Sequence, residues 1–372
     1  MSNSISIDAL RQELWSKDLL DDVMRDVQNG MQFMGEGSNN IVQVSRELAK
    51  RKGDTETFGL VTRLAGDGVT GDDELEGNEE SMNSYAEQVL IDQIRNAVRL
   101  KGKLDAQKTV YSQIEKAREN LRIWMKEFLI RQIFLKMGGV TNTTLVDTNG
   151  AVVGVRAAWS NTPDFIPDAD EAAGRGNRYW REGSTSSGDG TDDLAAGDTL
   201  TLDTITTVAT MAKLASPQLQ PIESGGDSFY VFYVHPLCAR DLRKSSDWKT
   251  ANQNARERGE KNPVFRGALG YWSNVLILEN EFCPWLDVSV AGNSFRGAAT
   301  GTDCAVDAAR NLFCGRQAVL YAEASNPEAL VVEQFDYKNK DGVAAAFIGG
   351  LQKAMFNSKE FGVIAVDAAA AV

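Results

Sequence analysis

Residues 104–137 read LDAQKTVYSQIEKARENLRIWMKEFLIRQIFLKM. Apolar side chains at Tyr111, Ile114, Ala117, Leu121, Met125 and Phe128 recur every three or four positions, and Leu135 follows two turns later. That is the repeat of one helical face. No Gly or Pro interrupts it until Gly138-Gly139 supplies a stop. The spacing predicts one continuous helix over 104–137, roughly 51 Å long at about 1.5 Å per residue. A helix that outruns the ordinary globular length is read as the core element of its domain. It is also basic, with nine Lys and Arg against four acidic residues from Lys101 to Met137.

Upstream lies the opposite charge. GDGVTGDDELEGNEE at 66–80 holds seven acidic residues, Asp67, Asp72, Asp73, Glu74, Glu76, Glu79 and Glu80, and no basic one. It is too polar to bury and too long for a tight turn, so it is expected as an exposed loop or one lying on another surface. The wider span 54–100 has eleven acidic residues, three Arg and no Lys. Residues 40–44 and 57–62 read as strands around a charged turn at 50–54. Leu10, Leu14, Leu20, Val23, Met24 and Val27 mark an amphipathic helix over 8–27, ended by Asn29-Gly30.

Downstream, residues 138–200 are rich in Gly, Thr, Asp and Asn and read as an irregular insertion with surface loops. A second helix is expected over 203–214, capped by Thr201 or Asp203. Continuous apolar runs at 229–234 and 275–278 predict buried strands. Between them, residues 240–266 carry eight basic and four acidic residues. Strands at 318–322, 330–335, 343–348 and 361–366, with a turn at 338–342, complete an α+β pattern.

Composition bounds the chemistry. The chain has 372 residues, 42% hydrophobic with 8 Pro, and a net charge of -13. Such a chain is globular and does not coat nucleic acid through a general excess of Lys and Arg. No apolar run is long enough for a signal peptide or a membrane span, so a soluble, cytoplasmically made product is expected. Cys238, Cys283, Cys304 and Cys314 lack the spacing of a zinc knuckle or redox pair. Gly66-Asp-Gly-Val-Thr-Gly71 matches a dinucleotide fingerprint in form, but the carboxylates that follow would repel a pyrophosphate. The same carboxylates miss the EF-hand pattern. No cofactor or metal is expected. The lone histidine, His235, stands three residues before Cys238 and defines the one nucleophile-and-base pair to weigh; a structural His capping the next helix is the favoured role.

The order of segments carries a resemblance. Gly53-Asp54, Phe58-Gly-Leu-Val-Thr62, Leu64, Gly66-Asp-Gly-Val-Thr-Gly-Asp72, Leu75-Glu-Gly-Asn-Glu-Glu80, Ile91-Asp92, Arg95 and Ala97-Val98 form one set. His235-Pro-Leu237, Asp241-Leu242, Trp248, Asn262-Pro263, Phe265, Gly267-Ala-Leu-Gly270 and Cys314-Gly315 with Gln317-Ala318 follow. Asp336-Tyr337, Gly349, Lys353, Phe356-Asn357 and Phe361-Gly-Val-Ile364 close it. Over about residues 40–366 the set resembles the tailed-phage major capsid proteins of the N-four type, departing in 138–200.

The resemblance implies a Hong Kong 97-type capsid fold. Residues 1–53 would be an amino-terminal arm, and 54–100 an extended acidic loop. Residues 101–221 would form a peripheral domain with spine helix 104–137 and insertion 138–200, 222–316 an axial domain, and 317–372 a return to the peripheral domain and a tail. It further implies hexamers and pentamers tiling a shell around double-stranded DNA bound without sequence specificity, assembled in a bacterial cytoplasm and ending in the virion. Scaffolding, portal and decoration or cement proteins are the candidate partners, and no membrane is involved. Candidate assembly contacts are the seven loop acids and the cations Arg118, Arg122, Arg240, Arg243, Lys244, Arg256 and Arg258. Some relatives of the fold cross-link their loops through Lys and Asn; without a loop Lys that is not expected here. An encapsulin-like protein compartment and a soluble enzyme built on His235 and Cys238 are the alternatives.

Overall fold

Ser112 starts the long helix: its side chain accepts the Glu115 N–H at 3.4 Å, the Ser-x-x-Glu pattern of a capped first turn. The helix runs Gln113–Gly138 and stops at Gly139, which takes the left-handed conformation at φ 64° and donates its N–H to Leu135 and Lys136 carbonyls. The continuous helix expected over 104–137 is therefore divided. A short helix, Lys103–Lys108, precedes it, and Thr109 turns extended. The cause is local: the Thr109 hydroxyl bonds the Asp105 carbonyl, Gln113 donates to both Asp105 and Thr109, and Ser112 caps the helix that follows. Tyr111, counted in the apolar stripe, faces solvent, and the buried stripe begins at Ala117.

The computed structural model describes Val23, Val27 and residues 33–49, 52–61, 70, 76, 84–140, 142–146, 152–157, 178–183, 194–215, 217–250, 268–286, 306–324, 330–356 and 359–371. The spine helix lies on a first sheet ordered Met34–Gly35, Val42–Ser45, Val319–Glu323, Lys340–Lys353, Leu330–Phe335, with Asp92–Arg99 antiparallel to the long strand. A second sheet is ordered Ala268–Trp272, Val275–Glu279, Asp227–Val234, Ala308–Cys314, Val363–Ala369, Tyr179–Arg181. The helices Leu202–Leu214, capped by Thr201, and Pro236–Lys244 pack on it, with Leu202, Val208, Cys238 and Leu242 against Phe232, Ile277, Phe313 and Val366.

One core joins the two sheets. Phe128 meets Phe347 of the first sheet edge-on at 6.3 Å, and Phe134 meets Tyr233 of the second at 5.1 Å. Contact on both sides explains why the helix is amphipathic early and buried almost all round from Phe128 to Gly138. Val23 and Val27 are helical and buried in the same core; the rest of the arm helix read over 8–27 lies outside the described residues.

The last part of the chain divides between the sheets. Val319–Glu323, Leu330–Phe335 and Lys340–Lys353 belong to the first, whereas Val363–Ala369 is an interior strand of the second. The insertion 138–200 contains a hairpin, Asn142–Val146 with Val152–Ala157, and its Tyr179–Arg181 pairs in parallel with Ala365–Asp367. Its residues 141, 147–151, 158–177 and 184–193 lie outside the described residues.

Candidate assembly surfaces

A long hairpin lies against this body, with Phe58, Leu60, Tyr85 and Val89 packed on it. Thr55–Val61 and Ser84–Leu90 pair antiparallel, from Thr55 opposite Leu90 to Val61 opposite Ser84. Its root packs on the backbone of the long strand, where a Cβ on Gly350 would stand 2.2 Å from the Leu90 carbonyl oxygen. Only a glycine permits that approach. Phe58 and Val89 bury against Leu320, Phe356 and Phe361, so the root is fixed. The acidic segment 66–80 joins the two strands beyond Val61 and Ser84. Glu76 is exposed; Asp67, Asp72, Asp73, Glu74, Glu79 and Glu80 lie outside the described residues, as do Arg256 and Arg258.

The candidate cations differ in how committed they are. On the helix Pro236–Lys244, Arg240 bonds Asp241 at 2.9 Å and the Ala371 carbonyl at 2.7 Å. Arg243 pairs with Glu279 at 2.5 Å, and Lys244 lies 3.7 Å from Asp241. Arg118 and Arg122 are half-buried on the spine helix. Arg122 lines a crevice of about 800 Å³ between that helix and residues 279–282, with Glu119, Lys126, Glu127 and Phe282 among its walls. Cations and carboxylates alternate there, so the crevice has no single sign.

A buried joint holds the end of the spine helix to the second sheet. Arg310 donates from Nε to Asp367 Oδ1 at 2.8 Å and from Nη2 to Oδ2 at 2.7 Å, while Nη1 reaches the Gly138 carbonyl at 3.1 Å. The Tyr179 hydroxyl donates to Asp367 at 3.1 Å. Both partners of the ion pair are fully buried. The end of the spine helix is thereby tied to the middle of the second sheet. Lys353 and Glu360 form a second buried pair beside it in sequence. Sequence reasoning missed both, although a lone Arg within Ala308–Cys314, an apolar strand, was a signal that its partner must also be inside.

His235 serves as a cap. Its Nδ1 accepts the Leu237 N–H at 3.3 Å, Pro236 opens the helix, and its ring stacks near Trp285 at 6.3 Å. Burial lowers its pKa to about 4, opposed in part by Glu279, so it is neutral near pH 7. Burial pushes the Cys238 thiol up to about 12, and Asn311 is its hydrogen-bond neighbour at 3.6 Å. A buried, protonated thiol is a packing group rather than a nucleophile.

Known proteins share this arrangement. A family model described as phage capsid protein matches residues 3–372. The major capsid protein of Pseudomonas phage KPP25 is 30% identical over 351 residues, which cover 91% of this chain and 90% of that protein. The capsid of Ralstonia phage GP4 superposes with a TM-score of 0.74 at 26% identity, over 92% of this chain and 90% of that one. The capsid of cyanophage Pam1 gives 0.68 at 26% identity, over 90% of each chain.

Proposed function

The chain belongs to the phage capsid protein family, and from that premise we propose that its copies close into hexameric and pentameric rings that tile an icosahedral shell around double-stranded DNA. It is a major capsid protein with the Hong Kong 97-type fold, and its place is the virion capsid. The observation that carries the assembly reading is the superposition on the capsid of Ralstonia phage GP4 at a TM-score of 0.74 over 92% of the chain, with the hairpin Thr55–Val61 and Ser84–Leu90 as the element offered to a neighbouring copy. A heterologous contact of this kind makes a ring when its rotation closes.

The rest of the molecule suits that work. The Arg310–Asp367 joint ties the end of the spine helix to the second sheet, and the shared core packs that helix on the first sheet, so an angle set at one contact carries to the next. In this reading the first sheet and spine helix form the peripheral domain, and the second sheet with its two helices forms the axial domain at the capsomer centre. Many modest contacts then act together, and their sum exceeds any one interface. DNA is enclosed without sequence recognition, as suits a chain of net charge -13. Assembly takes place in the host cytoplasm, with scaffolding, portal and cement proteins as partners. His235 and Cys238 act as cap and core, and the protein works by assembly rather than catalysis.

Expression of the chain, alone and with its scaffolding partner, followed by a sizing column and negative-stain microscopy, tests the reading. Closed shells or rings of six and five are expected. A uniform small oligomer under both conditions would overturn it.

A further inference from the structure

The strand Asp92–Arg99 closes one side of the first sheet. It pairs with Lys340–Lys353, from Asp92 opposite Gly349 to Arg99 opposite Gly342, and among the described residues no strand lies on its other side. Register decides which of its groups face outward. Antiparallel neighbours exchange hydrogen bonds at every second residue, and Leu100 donates to the Asp341 carbonyl of the long strand at 2.9 Å. The even-numbered residues therefore bond into the sheet, while Gln93, Arg95, Ala97 and Arg99 turn their N–H and carbonyl groups outward. Ile91 follows the same parity: its N–H points away from the long strand and donates to the Asp54 carbonyl, at the start of the hairpin, at 3.1 Å. Past Ile91 the edge is open.

An open edge eight residues long is a template on which any extended segment can pair. Here two of the outward donors are already taken. Asp92 Oδ1 accepts the Gln93 N–H at 2.7 Å, and Asn96 Oδ1 accepts the Ala97 N–H at 2.9 Å. Arg95, between them, is exposed and adds a charge to the same edge.

The placement of Asn96 has no packing reason. Side chains at 94, 96 and 98 share one face of the strand, and on that face Ile94 and Val98 pack against the main core. An apolar side chain at 96 would continue the packing, yet an amide stands there, half-buried. Its oxygen serves the N–H of the very next residue. A local bond of this kind takes a backbone donor out of the reach of any strand that would pair with it.

We propose that Asp92 and Asn96 guard the free edge of the first sheet against strand addition, so that a second copy cannot continue this sheet with an extended segment of its own. An incoming strand would have to displace both side chains before it could reach the Gln93 and Ala97 N–H groups. Contacts through the side chains of the edge remain open to a neighbour. The guard acts on the free subunit and does not depend on how shells are built.

Full-length Asn96→Val is the first test. Valine fits the face shared with Ile94 and Val98, so urea unfolding should show stability equal to or above wild type. The variant should nevertheless form pelletable, thioflavin-binding aggregate at concentrations where wild type leaves none. D92A/N96A should aggregate more, and D92N/N96D, which keeps an acceptor oxygen at both positions and the same net charge, should stay as soluble as wild type. Residue-resolved hydrogen exchange locates the contact. In the soluble valine variant the Ala97 amide should exchange roughly fivefold faster than in wild type, the worth of one hydrogen bond, and in the aggregate Gln93, Arg95 and Ala97 should become protected. A valine variant as dispersed as wild type overturns the proposal, as does aggregation that leaves residues 93–97 unprotected or that D92N/N96D shares. If D92A/N96A loses the wild-type circular dichroism spectrum, Asn96→Val alone decides.

Discussion

Arg310 and Asp367 concentrate the cost of the fold in two side chains. Removing one partner leaves a buried charge, at a cost of about 3–5 kcal/mol. Arg310→Ala should therefore lower stability by that amount in urea unfolding of the unassembled chain, and Asp367→Asn should do likewise. A loss below about 1 kcal/mol would mean that the joint does not hold the spine helix to the second sheet. His235 gives a pH signature. The folded chain keeps it neutral down to about pH 4, whereas the unfolded chain takes up the proton near 6.5. Between those values the unfolded state binds more protons, so stability falls as pH falls. His235→Asn keeps a cap acceptor and removes the titration. Its stability should decline less than wild type's between pH 6.5 and 4; equal declines would assign the acid sensitivity elsewhere.

At the scale of elements, the hairpin is held by a glycine. Ala at Gly350 drives a Cβ into the Leu90 carbonyl and Val89, and such overpacking costs about 1–3 kcal/mol. Gly59, in the middle of the same hairpin, has nothing within 4 Å of its would-be Cβ. Gly350→Ala should therefore lose stability and shell yield together while Gly59→Ala keeps both, and equal behaviour would show that the root is not the anchor. Elements of this kind were partly legible. The runs at 229–234 and 275–278 declared buried strands, and Gly138-Gly139 declared the end of the spine. The break at 109–112 was hidden, because it depends on Asp105, Thr109 and Gln113 bonding one another instead of continuing the helix. The place of Val363–Ala369 in the second sheet was hidden too, since an apolar strand fits either sheet and only long-range register decides. Of the candidate assembly contacts, the acids were conspicuous in composition, whereas the pairing of Arg240, Arg243 and Lys244 within their own chain shows only in the fold.

For the whole molecule, the question is what keeps copies together once the rings have closed. An amide cross-link in which the hairpin supplies the amine would need a Lys there, and residues 54–100 contain none. Lys353, on the strand beneath the hairpin root, is buried and held by Glu360. Without a hairpin amine, the expected cohesion is non-covalent, from contacts repeated around every ring or from separate cement proteins. Contacts between exposed charges weaken as salt rises, while the buried joint within each copy is screened far less. Purified shells boiled in detergent should run as a single band of one chain on a denaturing gel, and high salt should loosen shells before it unfolds the subunits. A ladder of multimers on that gel would show covalent linkage between copies.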